Sequence, residues 1–202
     1  MSPTPDRFIE RLVRPEVRRL SAYHVPEPGD RVKLDAMENP YPWPGELEDA
    51  WLETLRGLTV NRYPDPAATR LKARLRQAMG VPRGVEVLLG NGSDELIQLV
   101  FLALAGAGRK VLAPEPTFVM YRLLALALAV GMEYVAVPLE RGGFSLDMPA
   151  MLDAIEREAP AVVFLAYPNN PTGSLYAADE IRQILTASRG LVVVDEAYTP
   201  FA

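Results

Sequence analysis

The chain has 202 residues, a net charge of −5, no cysteine and a single histidine, His24, and 49% of its residues are hydrophobic. This length predicts one domain or a domain and a half, with enough apolar residues for a buried core. The negative charge argues against nucleic acid or an anionic membrane as the partner. Without cysteine there is no disulfide or thiolate chemistry, and one histidine argues against a zinc site or a Ser-His-Asp triad.

The N-terminus is not expected to be a signal peptide. Its first twenty residues are charged throughout and contain no apolar stretch like that of a signal peptide. The longest apolar run, residues 123–130, is too short to cross a bilayer. We therefore expect a soluble, cytoplasmic protein.

The first third of the chain predicts helices separated by proline-rich loops. Pro15 is placed to open one helix, and Gly80 is placed to close another. An extended piece with a Pro-punctuated loop is expected over 32–45. The expected helices are 6–13, 15–20, 46–58 and 67–80.

From Val85 onward, apolar runs alternate with amphipathic segments, a pattern typical of βαβ units. Strands that are apolar throughout fit a sheet covered by helices on both faces. The predicted fold class is α/β, a three-layer αβα domain with a mostly parallel sheet. The expected strands are 85–92, 110–116, 132–139, 161–168 and 191–198, and the expected helices are 93–106, 117–131, 148–159 and 177–188.

Three of these predicted strands end in unusual polar residues. The three segments are Gly90–Asp94, Pro168–Gly173 and Asp195–Tyr198. Ligands of such sheets bind beyond the carboxyl ends of the strands. Because a single helix separates Asn170 from Asp195, we expect both residues at the same edge of the sheet, on consecutive strands.

The segment Gly90–Asp94 can be interpreted in two ways. Its glycines allow a tight turn, and the N-terminus of the following helix suits a phosphate, with Ser93 placed to cap the helix. An ordinary glycine turn with a serine cap fits equally well, and the acidic Asp94 and Glu95 argue against a phosphate unless they only satisfy the helix N-terminus. The segment is not a dinucleotide fingerprint, because Glu95 stands where the third glycine should be.

Asp195 ends an apolar strand, where a carboxylate needs a cation or several hydrogen-bond donors. A cationic ligand would serve, but so would a loop amide or a distant arginine. Tyr198 either faces the ligand or packs. An amide, a carboxylate, a phenol and a phosphate cup together fit pyridoxal phosphate.

Six motifs carry a resemblance to a known family. The segments PNNPTG (168–173) and DEAY (195–198) resemble the fold-type-I aminotransferases that use pyridoxal phosphate. The segments NRYPDP (61–66), GNGSDE (90–95), PTFVMY (116–121) and LDAMENPYP (34–42) are similar to its histidinol-phosphate aminotransferase branch. The resemblance implies an N-terminal arm or small-domain segment over 1–32 and part of the large cofactor-binding domain over 33–202. It also implies a cytoplasmic homodimer that transfers an amino group between glutamate and histidinol phosphate in histidine biosynthesis.

The resemblance also implies roles for individual residues. Asp195 is expected to pair with the pyridinium nitrogen, and Asn169 to support the turn that presents Asn170. The other implied cofactor contacts are Gly92, Ser93 and Asp94 at the phosphate, Phe118 on the ring face, Asn170 and Tyr198 at the ring hydroxyl, and Tyr63 at the phosphate of the neighbouring subunit. The implied substrate contacts are Tyr23 and Asn39. No metal is implied.

The family attaches the cofactor to a lysine that follows the DEAY motif. The lysines of this chain, Lys33, Lys72 and Lys110, all precede Asp195 and match no such position. The arginine that binds the substrate carboxylate is likewise expected beyond Ala202. We therefore expect the N-terminal part of an aminotransferase, with an incomplete sheet, no catalytic residue of its own and no activity alone.

Other functions share part of this pattern. An aromatic amino-acid aminotransferase and a phosphothreonine decarboxylase carry the same motifs. A nucleotide-binding doubly wound domain would use Gly90 and Gly92 for a pyrophosphate and Glu115 for a ribose, but it leaves NNPTG and DEAY without a role. The missing lysine would also fit a non-catalytic interaction module.

Overall fold

A computed structural model describes residues 5–21, 27, 29–33, 39–128 and 131–202. The chain divides into two compact units, one made of residues 1–36 with 90–202 and the other of residues 37–89. The boundary predicted at residue 32 concerns the domains of the family and stays a prediction. In the part of the chain that is described, no helix has the length and apolar character needed to cross a membrane.

Helices and parallel strands alternate in the second half of the chain, as predicted. The helices are α1 (Pro5–Leu12), α2 (Pro15–Arg18), α3 (Gly45–Arg56), α4 (Thr69–Ala78), α5 (Gly92–Leu104), α6 (Met120–Leu128), α7 (Met148–Glu158) and α8 (Ala178–Ala187). The strands are β1 (Lys110–Glu115), β2 (Glu133–Pro138), β3 (Val162–Ala166) and β4 (Leu191–Asp195). They form one parallel sheet in the order β2-β1-β3-β4. The predicted α/β class is confirmed.

Both faces of the sheet are covered by helices, which gives three layers. Successive strand residues point to opposite faces, so in β3 Val163 packs into one core and Phe164 into the other. The core on the first face takes Met151 of α7 and Ile184 of α8. The core on the second face takes side chains from α5 and α6, among them Phe101. All five residues of β3 are buried, which explains why this strand is apolar throughout.

The strand predicted over 85–92 is wrong. Residues 85–90 adopt no regular structure, and Val85 and Leu88 are 48% and 66% exposed. A strand needs a neighbouring strand for its hydrogen bonds, whereas the four strands of the sheet pair only with one another in the described residues. A short apolar run predicts a strand but does not supply that neighbour.

In the unit of residues 37–89, both ends of α4 are satisfied locally. Gly80 has φ +61° and the amide of Val81 donates to the carbonyl of Arg76 at 3.0 Å, which confirms the predicted glycine C-cap. At the other end, the Asp65 carboxylate accepts from the amides of Thr69 at 2.9 Å and Ala67 at 3.0 Å. These bonds lower the pKa of Asp65 and order the loop that carries Tyr63.

Candidate active site

A cavity of about 270 Å³ lies beyond the carboxyl ends of β1, β3 and β4. Strand order reverses between β1 and β3, the position where open α/β sheets bind ligands. The cavity is lined by Asn91, Gly92, Ser93, Asp94, Phe118, Ala166, Pro168, Asn170, Asp195, Ala197 and Tyr198. Seven of the predicted site residues are therefore in one place. The register pairs Ala166 with Asp195, which confirms that Asn170 and Asp195 emerge at the same edge.

The N-terminus of α5 forms one wall of this cavity. Its N-cap is Asn91, so the expectation that Ser93 caps the helix is wrong. The Glu95 carboxylate accepts from the Asn91 amide at 2.5 Å, so Glu95 satisfies the helix N-terminus as expected. Gly92 follows with φ +78°. The first amides of a helix have no acceptor within it and suit an anion.

Asp94 adds a second carboxylate to the cavity. Partial burial, and then the negative charge of Asp195, raise the pKa of Asp94. Two carboxylates that face one cavity favour positive charge on the ligand, whereas the free amides of α5 favour an anionic group. A ligand that carries both would fit this cavity. Asp94 therefore does not argue against a phosphate ligand if the same ligand brings a cation to Asp195.

The Asp195 carboxylate is held by two hydrogen-bond donors. Its Oδ2 accepts from the Tyr121 hydroxyl at 2.8 Å, and its Oδ1 accepts from the Ala197 amide at 3.1 Å. Both donors are neutral, so they orient the carboxylate without cancelling its charge. The half-buried group remains free to attract a cation within the cavity.

Tyr121 is a site residue that sequence reasoning missed. Its ring is fully buried on α6, stacks on Phe164 at 4.7 Å and meets the edge of Phe118 at 5.6 Å. Burial, and then Asp195, raise the pKa of Tyr121, so the phenol stays protonated and donates. The spacing of the aromatic residues could have identified it. Tyr121 lies three residues after Phe118, and residues with this spacing lie on the same face of a helix.

The Tyr121 hydroxyl can be tested with a matched pair of variants. Tyr121→Phe leaves the Asp195 Oδ2 without its donor, so we expect it to lower the free energy of unfolding by about 1 kcal/mol. Tyr176→Phe is the control, because the buried Tyr176 hydroxyl has no partner among the described residues. Thermal unfolding should show destabilisation in the first variant alone. Equal melting temperatures in both variants would contradict the proposed hydrogen bond.

The turn after β3 presents Asn170 to the cavity. The Gly173 amide donates to the Asn169 carbonyl at 2.7 Å, and the Asn169 amide donates to the Ser174 carbonyl at 2.9 Å. Gly173 has φ +70°, which favours glycine. Asn169 is fully buried, and the prediction that it supports the turn is confirmed.

Aromatic side chains form part of the cavity wall. Phe118 is half-buried, packs against the core of α5 and α6 and also reaches the cavity. Tyr198 lines the cavity and meets Phe201 edge-on, with ring centroids 6.4 Å apart. Both rings are placed to contact a flat ligand.

The remaining predicted residues belong to the other unit or lie outside the described residues. Tyr63 and Asn39 belong to the unit of residues 37–89. Tyr63 is fully exposed, and the Asn39 side chain accepts from the Tyr41 amide at 3.1 Å. Tyr23 and His24 lie outside the described residues.

No lysine is among the described residues that line the cavity. Lys110 begins β1, at the edge of the sheet opposite the cavity, where its ammonium pairs with Glu158 at 2.5 Å and Glu133 at 3.7 Å. At this end of β1, Lys110 is not placed to serve the site. Lys72 lies on α4, in the other unit.

Comparison with known proteins agrees with these observations. Residues 30–202 match the family model described as aminotransferase class I and II. The chain is 60% identical over 199 residues to histidinol-phosphate aminotransferase 2 of Nitrosococcus oceani, a match that covers 98% of this chain and 54% of that protein. It is 57% identical over 188 residues to histidinol-phosphate aminotransferase of Thiocapsa roseopersicina, covering 93% of this chain and 98% of that one.

A solved structure has a similar fold. The crystal structure of histidinol-phosphate aminotransferase from Sinorhizobium meliloti in complex with pyridoxal-5'-phosphate is similar with a TM-score of 0.67 at 26% identity, over 80% of this chain and 42% of that one. The chain spans about half the length of several curated relatives that it matches, 54% in the Nitrosococcus oceani protein. The chain belongs to the class I and II aminotransferase family.

Proposed function

We propose that the cavity binds pyridoxal phosphate and that the whole protein transfers an amino group between histidinol phosphate and 2-oxoglutarate. The convergence of seven predicted cofactor contacts on one cavity supports the cofactor most strongly. The names of relatives at 57–60% identity support the substrate. Because this chain spans half of several of these relatives, the activity is proposed for the whole protein.

The chemistry of the cavity fits each part of this cofactor. The first amides of α5, at Gly92, Ser93 and Asp94, suit its phosphate. Asp195 suits its ring nitrogen. The two groups that donate hydrogen bonds to this carboxylate are neutral, so neither of them balances its negative charge. Asn170 and Tyr198 offer polar atoms for the ring hydroxyl, and Phe118 offers an apolar face.

In this proposal the residues of the chain bind, orient and hold a proton. Pyridoxal phosphate supplies an electron sink for the carbanion formed next to the substrate nitrogen. Asp195 keeps the proton on the ring nitrogen, and Tyr121 keeps Asp195 oriented. The lysine that the family uses is expected outside residues 1–202.

The alternative of a nucleotide-binding domain is not favoured by the position of Glu115. Its carboxylate accepts a forked pair of bonds from Arg122, at 2.8 Å and 2.9 Å from the same nitrogen, and a third bond at 3.1 Å from Nε. A carboxylate engaged in this way is a poor partner for a ribose hydroxyl. Membership of the aminotransferase family points the same way.

Substrate profiling of the whole protein tests the proposed function. Purified protein with pyridoxal phosphate should aminate 2-oxoglutarate with histidinol phosphate as the donor, at a kcat/KM well above that for phenylalanine or tyrosine. A higher kcat/KM for the aromatic amino acids would assign the aromatic aminotransferase function instead. Release of carbon dioxide from phosphothreonine would assign the decarboxylase.

We further propose that the whole protein is a homodimer in which Tyr63 reaches the cofactor phosphate of the neighbouring subunit. The full exposure of Tyr63 and the ordering of its loop by Asp65 support this role. Light scattering should give twice the monomer mass, and Tyr63→Phe should weaken cofactor binding several-fold while Tyr41→Phe does not. A fully active monomer would contradict the proposal. The cytoplasmic location expected from the sequence stays a prediction.

A further inference from the structure

The side chain of Asn169 joins two loops of the cavity. It is fully buried, and its amide makes three hydrogen bonds. Its Oδ1 accepts from the Thr117 hydroxyl at 2.8 Å, and its Nδ2 donates to the Pro116 carbonyl at 2.9 Å. The third bond runs from Nδ2 to the Thr172 hydroxyl at 2.7 Å, within the turn that contains Asn169.

The orientation of this amide follows from its partners. The Pro116 carbonyl can only accept, so the nitrogen of Asn169 must face it. The oxygen then faces Thr117, whose hydroxyl donates. Asn169 thus uses both ends of its amide on the loop between β1 and α6, and a carboxylate or an apolar side chain could not reproduce both bonds.

These bonds connect the residues that precede two cavity contacts. Pro116 and Thr117 come directly before Phe118, and Asn169 comes directly before Asn170. Phe118 and Asn170 both line the cavity. The spacing between an aromatic face and an amide is therefore set by one buried side chain that does not itself line the cavity.

We propose that Asn169 is a positioning residue that fixes the separation of Phe118 and Asn170, and so the fit of the planar cofactor ring between them. This inference rests on the proposed binding of pyridoxal phosphate. It assigns to Asn169 a role in ligand affinity in addition to its role in the turn. Burial of a satisfied amide for stability alone would predict no such effect.

Two threonine variants separate the two roles. Thr117→Val removes the hydroxyl that bonds Asn169 across the loops, whereas Thr172→Val removes a hydroxyl that bonds it within its own turn. Both threonines are half-buried, and each valine variant removes one hydrogen bond of the Asn169 side chain. Thr117→Ser keeps the hydroxyl and is the conservative rescue. These exchanges are milder than replacement of Asn169, which would risk the fold.

The measurement is titration of the whole protein and its variants with pyridoxal phosphate, followed by absorbance and by visible circular dichroism of the bound cofactor. We expect Thr117→Val to bind about threefold to tenfold more weakly, with an altered dichroism band. Thr172→Val should bind like the parent, Thr117→Ser should return toward the parent, and both valine variants should melt below the parent, Thr172→Val by more because its hydroxyl also bonds Ser174 at 3.0 Å.

Three results would count against the inference in different ways. If the parent binds pyridoxal phosphate and both valine variants match each other in affinity and dichroism, Asn169 acts only in the turn. If the parent itself does not bind the cofactor, the proposed function fails and the positioning role fails with it. An equal loss in Thr117→Ser and Thr117→Val would also count against the hydrogen bond.

Discussion

Replacing Asp195 by Asn in the whole protein is expected to lower kcat by about tenfold to a hundredfold or more while leaving the fold intact. A neutral amide cannot keep a proton on the ring nitrogen of the proposed cofactor. A charge-assisted hydrogen bond is worth about 1.5–3 kcal/mol, and each 1.36 kcal/mol of barrier is a factor of ten in rate. The amide oxygen can still accept from Tyr121 or Ala197, so the local structure should persist.

Asp147→Asn is the matched control for this variant. Asp147 is the N-cap of α7, where its Oδ1 accepts from the Ala150 amide at 3.0 Å. Asparagine caps helices as well as aspartate does, so the same chemical exchange should change neither turnover nor melting temperature there. Steady-state kinetics with circular dichroism as the folding check compares the two variants. Near-normal turnover in Asp195→Asn would remove Asp195 from the proposed role.

Replacing Gly190 by Ala is expected to give a large loss of stability. A Cβ at Gly190 would overlap the Pro160 carbonyl oxygen and lie 2.6 Å from the Ala161 carbonyl oxygen. Both atoms belong to backbone, which cannot rotate away as a side chain can. The next residue, Leu191, donates its amide to the same Ala161 carbonyl at 3.0 Å, so relief of the overlap would disturb the pairing of β3 with β4. We expect a loss of about 2–4 kcal/mol.

Gly143→Ala provides the comparison for Gly190→Ala. A Cβ at Gly143 would meet only the Ser145 hydroxyl, at 3.9 Å. This variant should therefore be neutral or slightly stabilising, because alanine restricts the unfolded chain.

Because Asp195 ends β4, Gly190→Ala should also weaken cofactor binding. Denaturant titration measures the stability, and equal midpoints for the two variants would contradict the overlap.

Much of the fold was predictable because the apolar pattern reports burial. The runs around Val163 and Val193 are continuous because helices cover both faces of the sheet. The polar residues at the strand ends were informative for the same reason, since Asn170 and Asp195 come where an apolar strand stops. Parallel strands joined by one helix then bring such residues to the same edge.

Most of the failures share a physical cause, because they depend on a partner far away in sequence. The segment 85–90 has the composition of a strand, but no strand of the described sheet pairs with it. The hydrogen bond from Tyr121 to Asp195 spans 74 positions, and that from Thr117 to Asn169 spans 52. Local composition indicates that a buried phenol or amide needs a partner, but it does not identify which residue supplies it.

A crystal structure of the whole protein grown with pyridoxal phosphate tests the central claim most directly. We predict density for the phosphate at the amides of Gly92, Ser93 and Asp94, with the ring nitrogen within hydrogen-bonding distance of Asp195. The ring should lie against Phe118, with its hydroxyl next to Asn170. Cofactor bound elsewhere in the protein, or an orientation that turns the ring nitrogen away from Asp195, would contradict the account.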